Sequence, residues 1–525
     1  MDTILILDFG SQTTQLIARR IREIGVYTEI IPGGSRFDQM PEFVQNVMPN
    51  VRGIILSGSP HSVNEADSPV PDHEVFRLAK QGLPLLGICY GLQRMTSELG
   101  GKVEASDHRE FGRSRIRFVQ NHPLFAGIPE HFISWMSHGD SIIQPASGFQ
   151  LIAESENGIP ACLADAENNL IGIQFHPEVS HCEYGTDILK NFALGMCKAK
   201  PEWSLDRILD DIDHGIRQQA SDRPVLLLIS GGVDSTVAAG LLLRSLNPEN
   251  VHLMYIDTGL MRKDETAEVV ASLERLGASH IHIVDARERF LSALKGVSDP
   301  EQKRRIIGDT FIEVQQQELE GRNVPDGLLA QGTLYTDLIE SGKGVGAHAA
   351  VIKSHHNVGT PLVSAKREAG LLIEPLASLY KDEVRAVGVK IGIDPAVVYR
   401  HPFPGPGLAI RIPGDITPKK IEILQQADSI YIRELRSRGL YDKIWQAFAV
   451  LLPVRSVGVA GDAREYGYVL ALRAITSRDG MTADVFPMPW DDILEISARI
   501  TNQVPQIGRV VYDVSSKPPA TIEWE

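Results

Sequence analysis

Two segments of the chain run from a short apolar stretch through a glycine-bearing turn straight into a helical pattern: Pro84–Gln93 (PLLGICYGLQ) and Val225–Thr236 (VLLLISGGVDST). A strand that is apolar at every position must be covered on both faces. A tight turn from its carboxyl end into a helix is the unit from which open parallel sheets are built. These two units constrain the chain to an α/β architecture with ligands beyond the carboxyl ends of its strands. Around the first, Ile4–Leu7, Gly53–Leu56, Leu83–Ile88 and Leu170–Phe175 read as buried strands, and Gln12–Ile24, Leu92–Leu99 and Thr186–Met196 as helices. Around the second, Ser204–Arg217 and Thr236–Leu246 read as helices. Val225–Ile229 and Val251–Ile256 are strands separated by one helix, which predicts parallel pairing.

The pattern breaks near Ala199-Lys200-Pro201 and again at Arg400–Gly407 (RHPFPGPG). Three prolines and two glycines there exclude helix and central strand, leaving a linker or a structured turn at a site. Beyond it come a helical stretch, Lys419–Arg436, and strand-like runs at Ser456–Val459, Tyr468–Ala474 and Gly508–Val514. The expected fold is α/β: two open, mostly parallel-sheet α/β domains in tandem (1–200 and 201–400), then a smaller α+β domain (401–525).

Composition narrows the function classes. Hydrophobic residues at 43% supply ample core and exclude disorder as the main state. A net charge of −15 gives no global attraction to nucleic acid. No apolar run approaches the roughly 20 residues of a membrane span. Met1–Asp8 has no basic leader and reads as a first strand rather than a signal peptide. Four cysteines without a C-x-x-C pair make no disulfide framework, so a reduced, cytoplasmic chain is expected, with no nucleic-acid or membrane partner.

The turn G-I-C-Y-G puts Cys89 at a helix N-terminus above the sheet, the elbow geometry of a nucleophile. A free thiol near pKa 8.5 needs a base, because the helix dipole supplies only about 0.3–1 kcal/mol. His176 in Gly172–Glu178 (GIQFHPE) follows a strand, so it should reach the same sheet edge. Glu178, two residues on, points the same way in an extended chain and can orient the imidazole. A lone Cys or His is more often a packing residue; elbow, strand-end His and i+2 Glu together reverse that reading. The turn after Gly53–Leu56 can present the Gly58 N–H beside that of Tyr90 as oxyanion donors. These residues resemble the class I glutamine amidotransferases over residues 1 to about 197, which implies a Cys-His-Glu triad.

The second turn, Ser230-Gly231-Gly232-Val233-Asp234-Ser235-Thr236, offers backbone N–H groups at a helix N-terminus and three hydroxyls to phosphate. No Gly-Lys-Ser/Thr follows, so it is not a Walker loop. It resembles the loop of N-type ATP pyrophosphatases, which implies ATP cleavage between the α and β phosphates, with Asp234 holding Mg²⁺ or positioning pyrophosphate. Asp257, ending the next strand, is either a nucleotide contact or a simple helix cap. The basic run Lys303-Arg304-Arg305 either meets phosphate or forms a solvated helix face. Lys353, after the glycine-rich segment Ser341–Gly346, is expected to reach the leaving pyrophosphate when that segment closes as a lid.

His401–Leu408, Pro453–Val459 and the terminal Ser516–Glu525 (SKPPATIEWE) resemble the glutamine-hydrolysing GMP synthases, and with them the resemblance spans essentially the whole chain in domain order. It implies substrates xanthosine 5′-monophosphate (XMP), ATP and glutamine, a homodimer formed by the C-terminal domain, and a tail folded over XMP. Lys517 is then assigned to the XMP phosphate and Glu523 to a polar XMP contact, with Arg304, Gln446 and Asp462 as further candidates. Two other readings stay open: an enzyme of the same build acting on another acceptor, and a catalytically dead nucleotide sensor.

Overall fold

A computed structural model describes residues 1–321, 327–340, 361–460, 463–477 and 482–525. Two units emerge, one centred on Met1–Asp210 and the other on Asp211–Tyr335 with His355–Glu525. In the first, β1 (Thr3–Asp8), β2 (Tyr27–Pro32), β3 (Val51–Leu56), β4 (Leu85–Ile88), β5 (Lys102–Phe118), β6 (His131–Gln144), β7 (Gln150–Ser155), β8 (Pro160–Asp165) and β9 (Leu170–Ile173) form one sheet. Its order is β2-β1-β3-β4-β9-β8-β7-β5-β6. The run from β2 to β9 is parallel. Every residue of β4 is buried, as a central parallel strand requires. The antiparallel extension β8-β7-β5-β6 is absent from the apolar alternation read in the sequence, because β5 and β6 are long and mix charged with apolar positions and β7 and β8 are short.

The second unit begins with β10 (Val225–Ile229), β11 (Val251–Asp257), β12 (His280–Asp285), β13 (Leu328–Ala330) and β14 (Leu372–Ile373), all parallel in the order β12-β11-β10-β13-β14. The order reverses at β10, so the crevice at its carboxyl end is where an open α/β sheet binds ligand. The helix Val233–Ser245 that leaves this point is buried at nearly every residue from Ser235 to Ser245.

The same unit carries a second sheet, β15 (Gln446–Ala460), β16 (Ala463–Thr476) and β17 (Asp484–Val485), with β18 (Ile507–Tyr512) parallel to β16. One hydrophobic core runs from Leu226, Met254 and Ile256 through Leu408 and Ile412 to Ala447, Leu470 and Ile496. The proline-rich segment before it is a structured turn: the His401 N–H donates to the Tyr441 hydroxyl at 2.9 Å, and the Leu408 N–H to the Leu260 carbonyl at 2.7 Å.

The chain terminus is held by buried cations. Arg473 is fully buried and donates to the carbonyls of Ile522, Thr521 and Ser515 at 2.8, 2.9 and 3.0 Å. Arg411, also fully buried, binds Glu523 at 2.8 and 3.1 Å. Lys303 is likewise at 0% exposure and pairs with Glu525 at 2.5 Å. Lys303 is therefore neither on a solvated face nor free for phosphate. The tail supplies the carboxylate that makes its burial tolerable. No helix of the described residues is long and apolar enough to cross a membrane.

Candidate active sites

The first site grows out of the junction of β4 with the helix Tyr90–Glu98. Cβ atoms added to Gly87 and Gly91 would meet backbone at 2.6 Å and 2.3 Å, so only glycine lets the helix cross the strands this closely. Between them Cys89 sits at φ 52°, ψ −106°, a region that costs a side-chain-bearing residue about 1–3 kcal/mol. The Cys89 N–H donates to the Ile173 carbonyl at 2.7 Å, which ties the elbow to the end of β9. The chain leaving β9 then delivers His176, whose N–H donates to the Trp135 carbonyl at 3.0 Å.

His176 Nδ1 lies 2.7 Å from Glu178 Oε1, and both residues are buried. Burial pushes the imidazole pKa down. The Glu178 carboxylate and hydrogen bonds to Cys89 and Glu178 outweigh it and hold His176 well above its usual value. A Cβ added to Gly58 would lie 3.4 Å from the His176 ring, so the Gly58 turn borders the imidazole. Tyr90 is the first residue of its helix, and its N–H is one of those without an intrahelical acceptor. The structure thus brings Gly58, Cys89, Tyr90, His176 and Glu178 to one sheet edge. Burial holds the other thiols up, Cys182 at about 11 and Cys162 and Cys197 further still.

Because the Glu178 charge is the largest upward influence, Glu178→Gln is expected to lower the His176 pKa, followed by imidazole NMR against pH. The sign for stability follows. A raised folded-state pKa contributes stability in full below the ordinary value near 6.5, and loses it as pH climbs through the raised value. The substitution should flatten that dependence, and an unmoved His176 titration would remove Glu178 from its orienting role.

The sequence reading missed the polar wall opposite. Cys89 Sγ donates to the Ser137 carbonyl at 3.6 Å, and Gln174 Nε2 donates to Cys89 Sγ at 3.5 Å. Gln93, one turn into the helix, donates to the Asp140 carbonyl at 3.0 Å and to Gln174 Oε1 at 3.2 Å. His138 Nδ1 approaches the Asp140 carbonyl at 2.9 Å and Nε2 approaches Glu110 at 3.3 Å. Glu110 also accepts from Ser155 and Asn157. Burial pushes the Glu110 carboxyl up, but these hydrogen bonds outweigh it and hold it below the usual range. Gln93, part of the elbow, and Gln174, two residues before His176, were within reach of sequence reasoning; Glu110, Ser137, His138, Asp140, Ser155 and the neighbouring Asn157 come with the antiparallel strands.

The second site is the turn after β10. Ser235 Oγ and Thr236 Oγ1 each donate to the Gly232 carbonyl at 3.0 Å, and Ser230 Oγ lies 3.2 Å from Ser235 Oγ. The hydroxyls brace one another, so the loop is shaped before any ligand arrives. Asp234 is bound by Lys381 Nζ through both carboxylate oxygens, at 2.5 and 2.6 Å. Beside the loop, a cavity of about 370 Å³ is lined by Asp257, Arg262, Glu265, Arg287 and Gln425, among others. Asp257 accepts from the Gly259 N–H at 2.8 Å and the Thr266 hydroxyl at 3.0 Å, so it both shapes its turn and faces this cavity.

Of the XMP candidates, Gln446 and Glu523 are joined at 2.8 Å. Lys517 is fixed through its main chain, exchanging hydrogen bonds of 2.8 and 3.0 Å with Ala483. Arg304 pairs with Glu301 within its own helix. Lys353 and Asp462 lie outside the described residues.

A strained cysteine elbow over parallel strands, facing a buried His–Glu pair, defines the class of the first unit, and the family profile described as glutamine amidotransferase class-I matches residues 5–196. The profile described as asparagine synthase matches residues 208–301, and that described as GMP synthase C terminal domain matches 433–524. Full-length relatives carry the identification further. A GMP synthase [glutamine-hydrolyzing] of Caldanaerobacter subterraneus subsp. tengcongensis is 48% identical over 526 residues, covering 100% of this chain and 99% of that one. Those of Aquifex aeolicus and Bdellovibrio bacteriovorus are 48% and 50% identical over 522 residues, with 99% of each chain covered. The chain belongs to the glutamine-hydrolysing GMP synthase family. Among solved structures, a glutamine amidotransferase of Thermotoga maritima is 19% identical, with a TM-score of 0.28, covering 39% of this chain and 89% of that one.

Proposed function

We propose that this chain aminates XMP to GMP with ammonia released from glutamine, giving glutamate, AMP and pyrophosphate. The observation that carries this reading is the presence, in one chain of this family, of a Cys89–His176–Glu178 elbow and a braced S-G-G-V-D-S loop at a sheet switch point.

In the first reaction the Cys89 thiolate attacks the glutamine carboxamide carbon. The oxyanion is received by the N–H groups of Gly58 and Tyr90, each such donor being worth about 3 kcal/mol of barrier. His176 protonates the departing ammonia and then takes a proton from the water that hydrolyses the thioester. Glu178 holds the imidazole, as its 2.7 Å contact supports. In the second reaction the xanthine C2 oxygen attacks the α-phosphorus of ATP and pyrophosphate leaves. That adenylation converts a poor leaving group into a good one, so ammonia then attacks C2, AMP departs and the new amine loses a proton.

Residues Ser230 to Thr236 receive the pyrophosphate portion, and the adjoining cavity beside Asp257 takes the nucleoside portion. Asp234 fits a Mg²⁺ that arrives on the phosphates, since such ions take one or two carboxylates plus substrate oxygens, and its carboxylate is already shared with the Lys381 ammonium. The ion would neutralise the charge building on pyrophosphate. Lys353 is assigned to the same leaving group. The test is product analysis with XMP, ATP-Mg²⁺ and glutamine; another acceptor accepted in place of XMP overturns the reading.

Residues 401–525 are proposed to bind XMP and to dimerise. Val457 and Tyr466 face each other across β15 and β16 and are 48% and 63% exposed, with Val454 and Val459 exposed beside them. A second copy of the chain covering this ridge accounts for so much exposed apolar surface. Lys517→Ala should raise the XMP KM roughly 10- to 150-fold, the worth of one charge-assisted contact, and leave the ATP and glutamine KM values in place. An unchanged XMP KM would refute the assignment of Lys517. Four free cysteines and the substrates suit a reducing cytoplasm.

A further inference from the structure

A second polar cavity, of about 690 Å³, opens within the second unit, and its lining includes none of the residues assigned above to individual glutamine, ATP or XMP contacts. Arg385, Tyr399, Arg400, Arg436, Lys443 and Trp445 line it, and Asp442 is the acidic residue among its described lining. Arg400 is matched by Glu265. The other three cations have no carboxylate partner among the described residues. Arg385 lies over the Tyr399 ring at 6.0 Å, and its Nε is buried without a hydrogen-bond acceptor. Arg436 lies over the Tyr441 ring at 4.8 Å. Tyr399 is 51% exposed, so much of the residue stays open to solvent beside Arg385. Tyr441 stacks on His401 at 3.7 Å and 9°. Burial first, then the charges of Arg262 and Arg436, push the His401 imidazole down to about 4, so it adds no charge of its own at neutral pH.

Unmatched guanidinium and ammonium groups around an open aromatic face recognise an anion carried on a planar ring. We infer that this cavity is a second nucleotide site, taking a purine nucleoside monophosphate with its phosphate on Arg385, Arg436 and Lys443 and its base on Tyr399. The volume suits one such ligand, since small-molecule pockets run from about 300 to 1,000 Å³.

The site is linked to the phosphate loop by two routes, each through one intervening residue. The helix Lys381–Lys390 carries Arg385 one turn from Lys381, which holds Asp234. Arg400 holds Glu265, which lies 3.7 Å from the Cβ position of Gly231. An occupant that pulls on Arg385 or competes for Arg400 therefore acts on the loop itself.

The experiment is calorimetric titration of the full chain with GMP, beside Arg436→Gln/Lys443→Gln and Tyr399→Ala. Lys517→Ala serves as the variant that weakens the XMP site alone. The wild-type chain should bind two GMP per chain. The double variant should lose one of them, at least tenfold in affinity, while Lys517→Ala loses the other. Added GMP should shift the ATP KM of the wild type and leave that of the double variant in place. The binding arm does not depend on the proposed reaction, so failure of either is told apart. One GMP per chain, or equal binding by the double variant, overturns the inference. Pyrophosphate binding as tightly as GMP, with no effect of Tyr399→Ala, overturns the planar ligand. A changed sedimentation coefficient in the double variant without a change in binding shows the face to be a protein contact, and also overturns it.

Discussion

Cys89→Ala is expected to abolish GMP formation from glutamine, by on the order of 10⁶-fold, while ammonium salts continue to support synthesis at close to the wild-type rate. The magnitude follows from removing the only atom that forms the thioester; neither the oxyanion donors nor His176 can substitute for it. The sparing of the ammonium reaction follows from the fold. Cys89 is built into the sheet β2-β1-β3-β4-β9 of one unit, and the S-G-G-V-D-S loop into the sheet β12-β11-β10-β13-β14 of the other. A one-atom truncation at the elbow reaches the Ser137 carbonyl, the Gln174 amide and the His176 imidazole, all within the same unit. Parallel assays with glutamine and with ammonium chloride check this. Loss of both activities would assign Cys89 to folding or to the synthetase reaction.

Asp234→Ala should stop synthesis from either nitrogen source, by about 10²- to 10³-fold, and leave glutamine hydrolysis measurable. Two effects combine. The carboxylate that would hold Mg²⁺ against the phosphates is gone, and Lys381, bound to both of its oxygens, loses its anchor. Pyrophosphate departure is the step that feels both. In the wild type, ³¹P spectra should show AMP and pyrophosphate, and chelation of Mg²⁺ should halt the reaction. Spectra showing ADP and orthophosphate would sink the pyrophosphatase assignment. Full synthesis by the variant would take Asp234 out of the site.

Both sites were legible in the sequence because each is a local event. The elbow and the phosphate loop are strand–turn–helix units of about a dozen residues, with chemistry carried in the turn. Val225–Ile229 forms the strand read for it, and His176 and Glu178 meet because they are two residues apart, although the turn at Pro177-Glu178, and not the extended chain expected there, brings them together. What could not be read is everything brought in by pairing distant segments. Ser137 reaches Cys89, and Asp140 reaches Gln93 beside it with His138 bound behind, only because β6 closes an antiparallel extension of the sheet. Nothing in the residues from Trp135 to Asp140 alone names the partner strand.

The buried cations make the same point more sharply. Lys303 was open in sequence to a phosphate contact or a solvated helix face, yet it is fully buried, as are Arg411 and Arg473, which no sequence pattern singled out. They are made neutral in effect by Glu525, Glu523 and Asp513, and by carbonyls of a tail that comes from the far end of the chain. Sequence by itself determined the two strand–turn–helix sites, the order of the α/β units and the pairing of His176 with Glu178, because backbone geometry and short-range spacing are enough to specify them. Tertiary structure alone decided which polar residues wall the cysteine, which cations are buried and where the tail lies. A charge can be buried only where its partner arrives, and that arrival is set by long-range packing.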